Sequence, residues 1–261
     1  MQIPAIYKTI NKFYCGLAAF EEGNNWGFIN RKNERIVVPK YLEVQDYSDG
    51  MAAVKDVVTS SGFQKWGFVD TTGELVISNI FWKANDFHEG VATVVKDSLL
   101  GAVDKKGNVI INYIYHNLLD CKNGIIKYEE KNKWGFITIS NGKIVAPKYD
   151  KLEDFIGGRA LIESNGKWGY VDENGNEIIP PTYDDLQIYS DGLAVFRVND
   201  KVGYIDVKGN VIIKPIYDKA IIFRKGIAAV KLDEKWGFIR EDGSYLIKPS
   251  YTSIIEFMDL Y

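Results

Sequence analysis

The sequence predicts an all-β protein built from tandem repeats, and three observations carry that prediction. Glycines recur at Gly27, Gly67, Gly101, Gly135, Gly169, Gly203 and Gly237, the last five intervals each 34 residues and the first 40. Fourteen residues after each stands an aromatic ring: Tyr41, Phe81, Tyr115, Tyr149, Tyr183, Tyr217 and Tyr251. Between these columns lie short apolar runs bounded by Gly, Asn and Asp, the pattern of antiparallel hairpins, and no stretch escapes a Gly or Pro slot with helical periodicity.

Taking the first glycine of each period as zero, a second glycine stands at offset 23, as in Gly50, Gly90, Gly192 and Gly226. The run Gly226-Ile-Ala-Ala-Val-Lys reads as a strand, Leu232-Asp-Glu-Lys as a polar turn, and Trp236-Gly-Phe-Ile as the returning strand. The D-x-x-G step that follows, as in Asp172-Glu-Asn-Gly175, calls for a left-handed residue that closes a hairpin with a bulge. Asn33 and Asn141 stand in that glycine's slot in two repeats, and Asn tolerates the same conformation. The Asp column (Asp70, Asp104, Asp172, Asp206) therefore reads as turn chemistry, each side chain binding its own backbone, rather than as acids for catalysis or calcium. A third run ends at Pro39, Pro147, Pro181, Pro215 or Pro249, where a missing N–H is tolerable. The aromatic two residues later is expected to fill the space between repeats, and a short run such as Lys219-Ala-Ile-Ile-Phe223 returns the chain to the offset-23 glycine. Glycine next to tryptophan lets another backbone approach closely. The step should be buried on both faces, with Trp26, Trp66, Trp134, Trp168 and Trp236, and Tyr41, Tyr149, Tyr183, Tyr217 and Tyr251, as its structural residues. The six additional residues of the first interval fall in DVVTSSGFQ before Lys65, read as a lengthened loop.

With KWGFID-like motifs, a following G, a P-x-Y and a later F-x-x-G at this spacing, the chain resembles the bacterial WG-repeat (KWG) family over essentially its whole length. The resemblance implies an architecture and says almost nothing of activity. Leu100 and Val202 replace the tryptophan, and Asn79 and Tyr113 the proline. Residues 1–261 read as a single repeat domain of about seven and a half repeats. That count and the short period favour an open β-solenoid or superhelix, because 34 residues are short for the four strands of a propeller blade; a closed β-propeller is the alternative.

Composition excludes several functions. The formal charge of −3, with 32 basic and 35 acidic residues evenly spread, gives no clustered basic face for nucleic acid. Cys15 and Cys121 lack metal-ligand spacing and read as small buried hydrophobes. No cofactor or metal site is expected, and no motif of a known catalytic context is present, so the chain is read as not an enzyme. The carboxylate pairs Glu21-Glu22 and Glu129-Glu130 read as solvated hairpin tips. No run is long and apolar enough to span a membrane and no signal-peptide pattern opens the chain, so the expectation is cytoplasmic, or exported if a leader has been removed. The sharpest candidates for a site are departures from the repeat: Asn79, Trp82, Tyr113 and His116, where Trp82 and His116 take the column held elsewhere by Asp150, Asp184 and Asp218. His88 joins them as one of only two histidines. Adjacent aromatic substitutions on equivalent edges would form a recognition patch. The expected function is a scaffold binding a protein or peptide through an extended surface. The alternative is a glycan or cell-wall module, since KWGYVDENG looks similar to the aromatic hairpins of choline-binding repeats.

Overall fold

The computed structural model describes residues 7–56 and 62–254, so most of the lengthened loop, residues 57–61, lies outside the described residues. The described residues form strands and turns and no helix. Among the described residues seven antiparallel sheets follow one another in sequence, six of four strands and one of three, each strand pairing with its neighbour in sequence. The fifth sheet shows the pattern: Lys151–Leu152, Arg159–Ser164, Lys167–Asp172 and Glu177–Tyr183. Four strands fit into the short period because the first has only two residues. The expected run 219–223 shrinks in the same way to Lys219–Ala220. In the three-stranded fourth sheet a single bridge, Leu118 to Tyr128, marks the place of the missing strand.

Sheet and sequence period are out of phase. The sixth sheet runs from Asp185, sixteen residues after Gly169, to Tyr217, fourteen after Gly203. The half period before Gly27 is accordingly the start of a complete first sheet, Thr9–Ile10, Leu17–Glu22, Asn25–Asn30 and Arg35–Tyr41.

Three turns make each meander. The offset-23 glycine closes a tight hairpin in which it and the residue before it are both left-handed, as in Asp49 (φ 51°) and Gly50 (φ 79°). Two left-handed central residues match the twist of the flanking strands, which makes Asp-Gly and Glu-Gly favourable here. Cys15 occupies the first of these positions and is exposed, contrary to its reading as a buried hydrophobe. The second hairpin turns at pairs such as Asp233-Glu234, and the third at the D-x-x-G step, where Gly175 and Asn33 are left-handed as expected. Asn141 is not: in its repeat the left-handed residue is Gly142, one position on, and Asn141 instead accepts the Lys143 N–H. A glycine next in line takes the strained conformation more cheaply than asparagine.

The glycine of the Trp-Gly step has a direct steric reason. Trp168 pairs with Tyr183 and Tyr170 with Ile179, so Gly169 faces three residues of the last strand, which bulges over it. A Cβ on Gly169 would lie 2.3 Å from the Ile179 carbonyl oxygen, and Pro181 N lies in the same bulge. The step is buried less symmetrically than expected: Gly169, Tyr170 and Val171 are buried, but Trp168 is only half-buried.

By its contacts the chain divides into two compact units, Met1–Lys131 with Gly135–Pro147, and Asn132–Trp134 with Lys148–Tyr261. Within each, consecutive sheets share an apolar layer. In the second unit, Val195, Tyr204, Ile213 and Tyr217 of the sixth sheet pack on Phe223, Ala228, Val230 and Ile239 of the seventh. Aromatic pairs repeat across such layers: Tyr170 with Tyr189 and Tyr204 with Phe223 (both 4.7 Å), and Phe28 with Tyr47 and Phe68 with Phe87 (both 4.8 Å). Tyr183 fills the inter-sheet space as expected, its ring 4.7 Å from Phe196.

Candidate functional site

Asn79, Trp82, Tyr113 and His116, with His88, lie in the first unit, and several carry structural bonds. The Asn79 amide donates to the carbonyls of Val54 (2.8 Å) and Lys65 (3.1 Å), two strands held by one side chain. Trp82 is 44% exposed, with the Phe63 ring edge-on at 5.3 Å and the Lys65 ammonium 4.8 Å above it. Tyr113 packs beside Phe81 under the Lys96 ammonium. His116 is exposed, and His88 is an exposed turn residue whose backbone exchanges hydrogen bonds with Val91. Burial holds the Asp86 carboxyl above the usual carboxylate range, opposed by the attraction of His88.

The column that Trp82 and His116 interrupt turns out to be a clasp, which sequence reasoning missed. Lys133, Lys167 and Lys201 each form an ion pair with the aspartate seventeen residues on, Asp150, Asp184 and Asp218. The other oxygen of each carboxylate accepts a turn N–H from the following sheet: Asn165 (2.8 Å), Asn199 (3.0 Å) and Asp233 (3.0 Å). The paired lysine and then the turn N–H hold the carboxyl groups of Asp150 and Asp184 below their usual range. At Trp82 a cation over a ring replaces the ion pair; at His116 the lysine is also gone, replaced by Leu99. The D-x-x-G aspartates behave as read: Asp172 accepts the N–H groups of Asn174 and Asn176, and Asp206 those of Lys208 and Asn210. The hairpin-tip acids are less free than expected, since Glu21 accepts from Lys8 and Thr9, and Glu22 pairs with Arg35.

The second unit contains a cleft of about 450 Å³ between the fifth and sixth sheets. Buried Leu161, Tyr170 and Leu186 are among its lining residues, with half-buried Trp168, Tyr189 and Arg159, and with Ile156 (68% exposed) and Ile188 (56%) at the rim. Arg159 donates to the Val207 carbonyl at 2.8 Å and lies 5.4 Å from the Tyr189 ring centre, while the Tyr189 hydroxyl donates to the Asp206 carbonyl. Burial pushes the Tyr189 hydroxyl up to about 12. Glu153, Asp154 and Asp185 complete the lining. The sequence carried one signal for this cleft: Ile188 stands in the column of Asp46, Asp86, Asp120 and Asp154.

Seven repeated sheets presenting turns and a preformed cleft define an all-β tandem-repeat protein of the binding-scaffold class. Residues 3–26, 26–56, 66–99, 101–134, 134–168, 168–201 and 203–236 match the model of the WG containing repeat, and the chain belongs to that family. No curated protein matches it. Among solved structures it is similar to Hsv2p of Kluyveromyces lactis, at 10% identity and TM-score 0.37 over 92% of this chain and 96% of that one. It is also similar to a eukaryotic initiation factor (10%, TM-score 0.37, 89% and 84%) and to the C-terminal WD40 domain of Sif2 (11%, TM-score 0.32, 86% and 78%). Scores this low transfer neither a partner nor an activity. No helix among the described residues is long and apolar enough to cross a membrane.

Proposed function

We propose that the chain is a non-enzymatic scaffold that holds a segment of a partner protein in the cleft between its fifth and sixth sheets. The observation that carries this reading is the pair of exposed isoleucines, Ile156 and Ile188, at the mouth of a cavity lined by aromatic and aliphatic side chains. Concave, mostly apolar sites with a few placed polar groups are the usual form of a binding pocket. The glycan alternative is weaker on this geometry. Sugar rings stack on open aromatic faces, whereas the Trp168 face is covered by the Lys151 ammonium at 5.0 Å and Tyr189 by Arg159. Selection of a displayed random-peptide library on the intact protein tests the reading. Enriched peptides should lose binding to the Ile188→Glu variant and keep it in Trp82→Ala; the reverse pattern would move the site to the first unit.

A further inference from the structure

Carboxylates in the second unit are mostly committed to the fold. Asp150, Asp184 and Asp218 close clasps, and Asp172 and Asp206 hold turns. Glu163 pairs with Lys151, Glu177 with Lys148 at 2.8 Å, and Asp191 accepts the Gly226 N–H at 3.0 Å. Two carboxylates of the cleft differ. Among the described residues neither Glu153 nor Asp185 has an ion pair or a side-chain hydrogen bond. The repeat itself makes the contrast, because the position of Asp185 pairs across the strand elsewhere: Lys151 with Glu163, and Glu43 with Lys55 at 2.7 Å. Asp185 stands opposite Arg197 in register, yet no ion pair joins the two.

The cleft is therefore acidic as well as apolar. Its lining holds Glu153 and Asp185 without an ion pair, while the cations beside it are engaged: Arg159 is bonded to Val207 and stacked on Tyr189, and Lys151, over Trp168, is paired with Glu163. The two principal ring faces are covered by the chain's own cations, so an incoming positive charge is drawn to the rim carboxylates rather than to the rings. Complementary charge at a binding site steers encounter and rejects partners of the wrong sign.

We infer that the segment taken by this cleft is basic and apolar: a stretch of a partner protein that lays an aliphatic side chain against Ile156 and Ile188 and a lysine or arginine against Glu153 and Asp185. The inference rests on the binding reading given above, and the experiment separates the two. Fluorescence anisotropy is measured with short labelled peptides of one length, Leu-Lys, Leu-Ser and Leu-Glu in composition, on the intact protein. The Leu-Lys peptide should bind at least about tenfold tighter than Leu-Ser, with Leu-Glu weakest. The Glu153→Gln/Asp185→Asn variant should lose that preference while its Leu-Ser affinity stays unchanged, and Asp200→Asn, on a hairpin tip elsewhere in the unit, should keep it. Equal affinities for the three peptides, or a lysine preference that survives the double variant, would overturn the charge inference and leave the cleft standing. Binding of all three that is indifferent to Ile188→Glu, or no binding at all, would take down the cleft itself.

Discussion

A Cβ placed on Gly203 would sit 2.4 Å from the Ile213 carbonyl oxygen and 2.8 Å from Pro215 N, both backbone atoms that cannot swing aside. Overpacking of this kind costs about 1–3 kcal/mol, while alanine recovers only about 0.4–1 kcal/mol by restricting the unfolded chain. Gly203→Ala is thus expected to lower stability, read as a lower urea midpoint with an unchanged slope. Trp82 makes the opposite prediction. Its column accepts aspartate elsewhere and Lys65 is already above it, so Trp82→Asp should rebuild a lysine–carboxylate pair and change stability by less than about 1 kcal/mol. Circular dichroism melts of the variant and the parent check it. At this scale the sequence was informative where sterics act locally, as for Gly169 and the D-x-x-G aspartates. It misled at Asn141, where two adjacent residues were both able to take the left-handed position and glycine prevailed.

The clasps tie element to element, and their response to acid has a definite sign. The carboxyl groups of Asp150, Asp184 and Asp218 are lowered in the fold from 3.8, chiefly by their lysines. A lowered folded pKa means stability that is complete above the unfolded value and is lost as pH falls through the folded one. Urea unfolding should accordingly show the parent losing stability below about pH 4 more steeply than an Asp150→Asn/Asp184→Asn/Asp218→Asn variant. A parallel decline of the two curves would remove the clasps as the cause. The signal for this device was present in the sequence as the joint appearance of Lys and Asp in three periods, Lys133 with Asp150, Lys167 with Asp184 and Lys201 with Asp218. It was obscured because the column was judged by its exceptions, Trp82 and His116. The shortest strand of the four-stranded sheets was legible as a short run, as at 219–223, but its length was not, because a two-residue strand such as Lys219–Ala220 or Asp185–Leu186 has no periodicity to detect. The cleft combines positions from different columns of two successive periods, and the one column departure among them, Ile188, is shared by Ile222 and so does not single it out.

Across the whole molecule the most sensitive reporter is tyrosine. Of sixteen in the chain, many sit between sheets, and burial raises the hydroxyls of Tyr128 and Tyr189 to about 12 and those of Tyr47, Tyr170, Tyr204 and Tyr217 further. A raised folded pKa contributes stability that is fully present below the unfolded value near 10 and is lost as pH rises through the folded one. Spectrophotometric titration should find these tyrosines protonated until alkaline unfolding releases them together; gradual ionisation near pH 10 in a chain that stays folded would contradict the packing. The phase difference between sheet and sequence period has a separate consequence, for how such a chain can be shortened. Between Gly67 and Gly237, where the period is constant, any cut of 34 residues removes one sheet's worth of strands wherever it begins, because the join rebuilds a sheet from two parents. A deletion running from Tyr170 to Gly203 would splice the front half of the fifth sheet to the back half of the sixth with every strand present. Within that stretch, loss or gain of a copy keeps the strand order whether or not the breakpoints fall at structural borders, provided its length is one period.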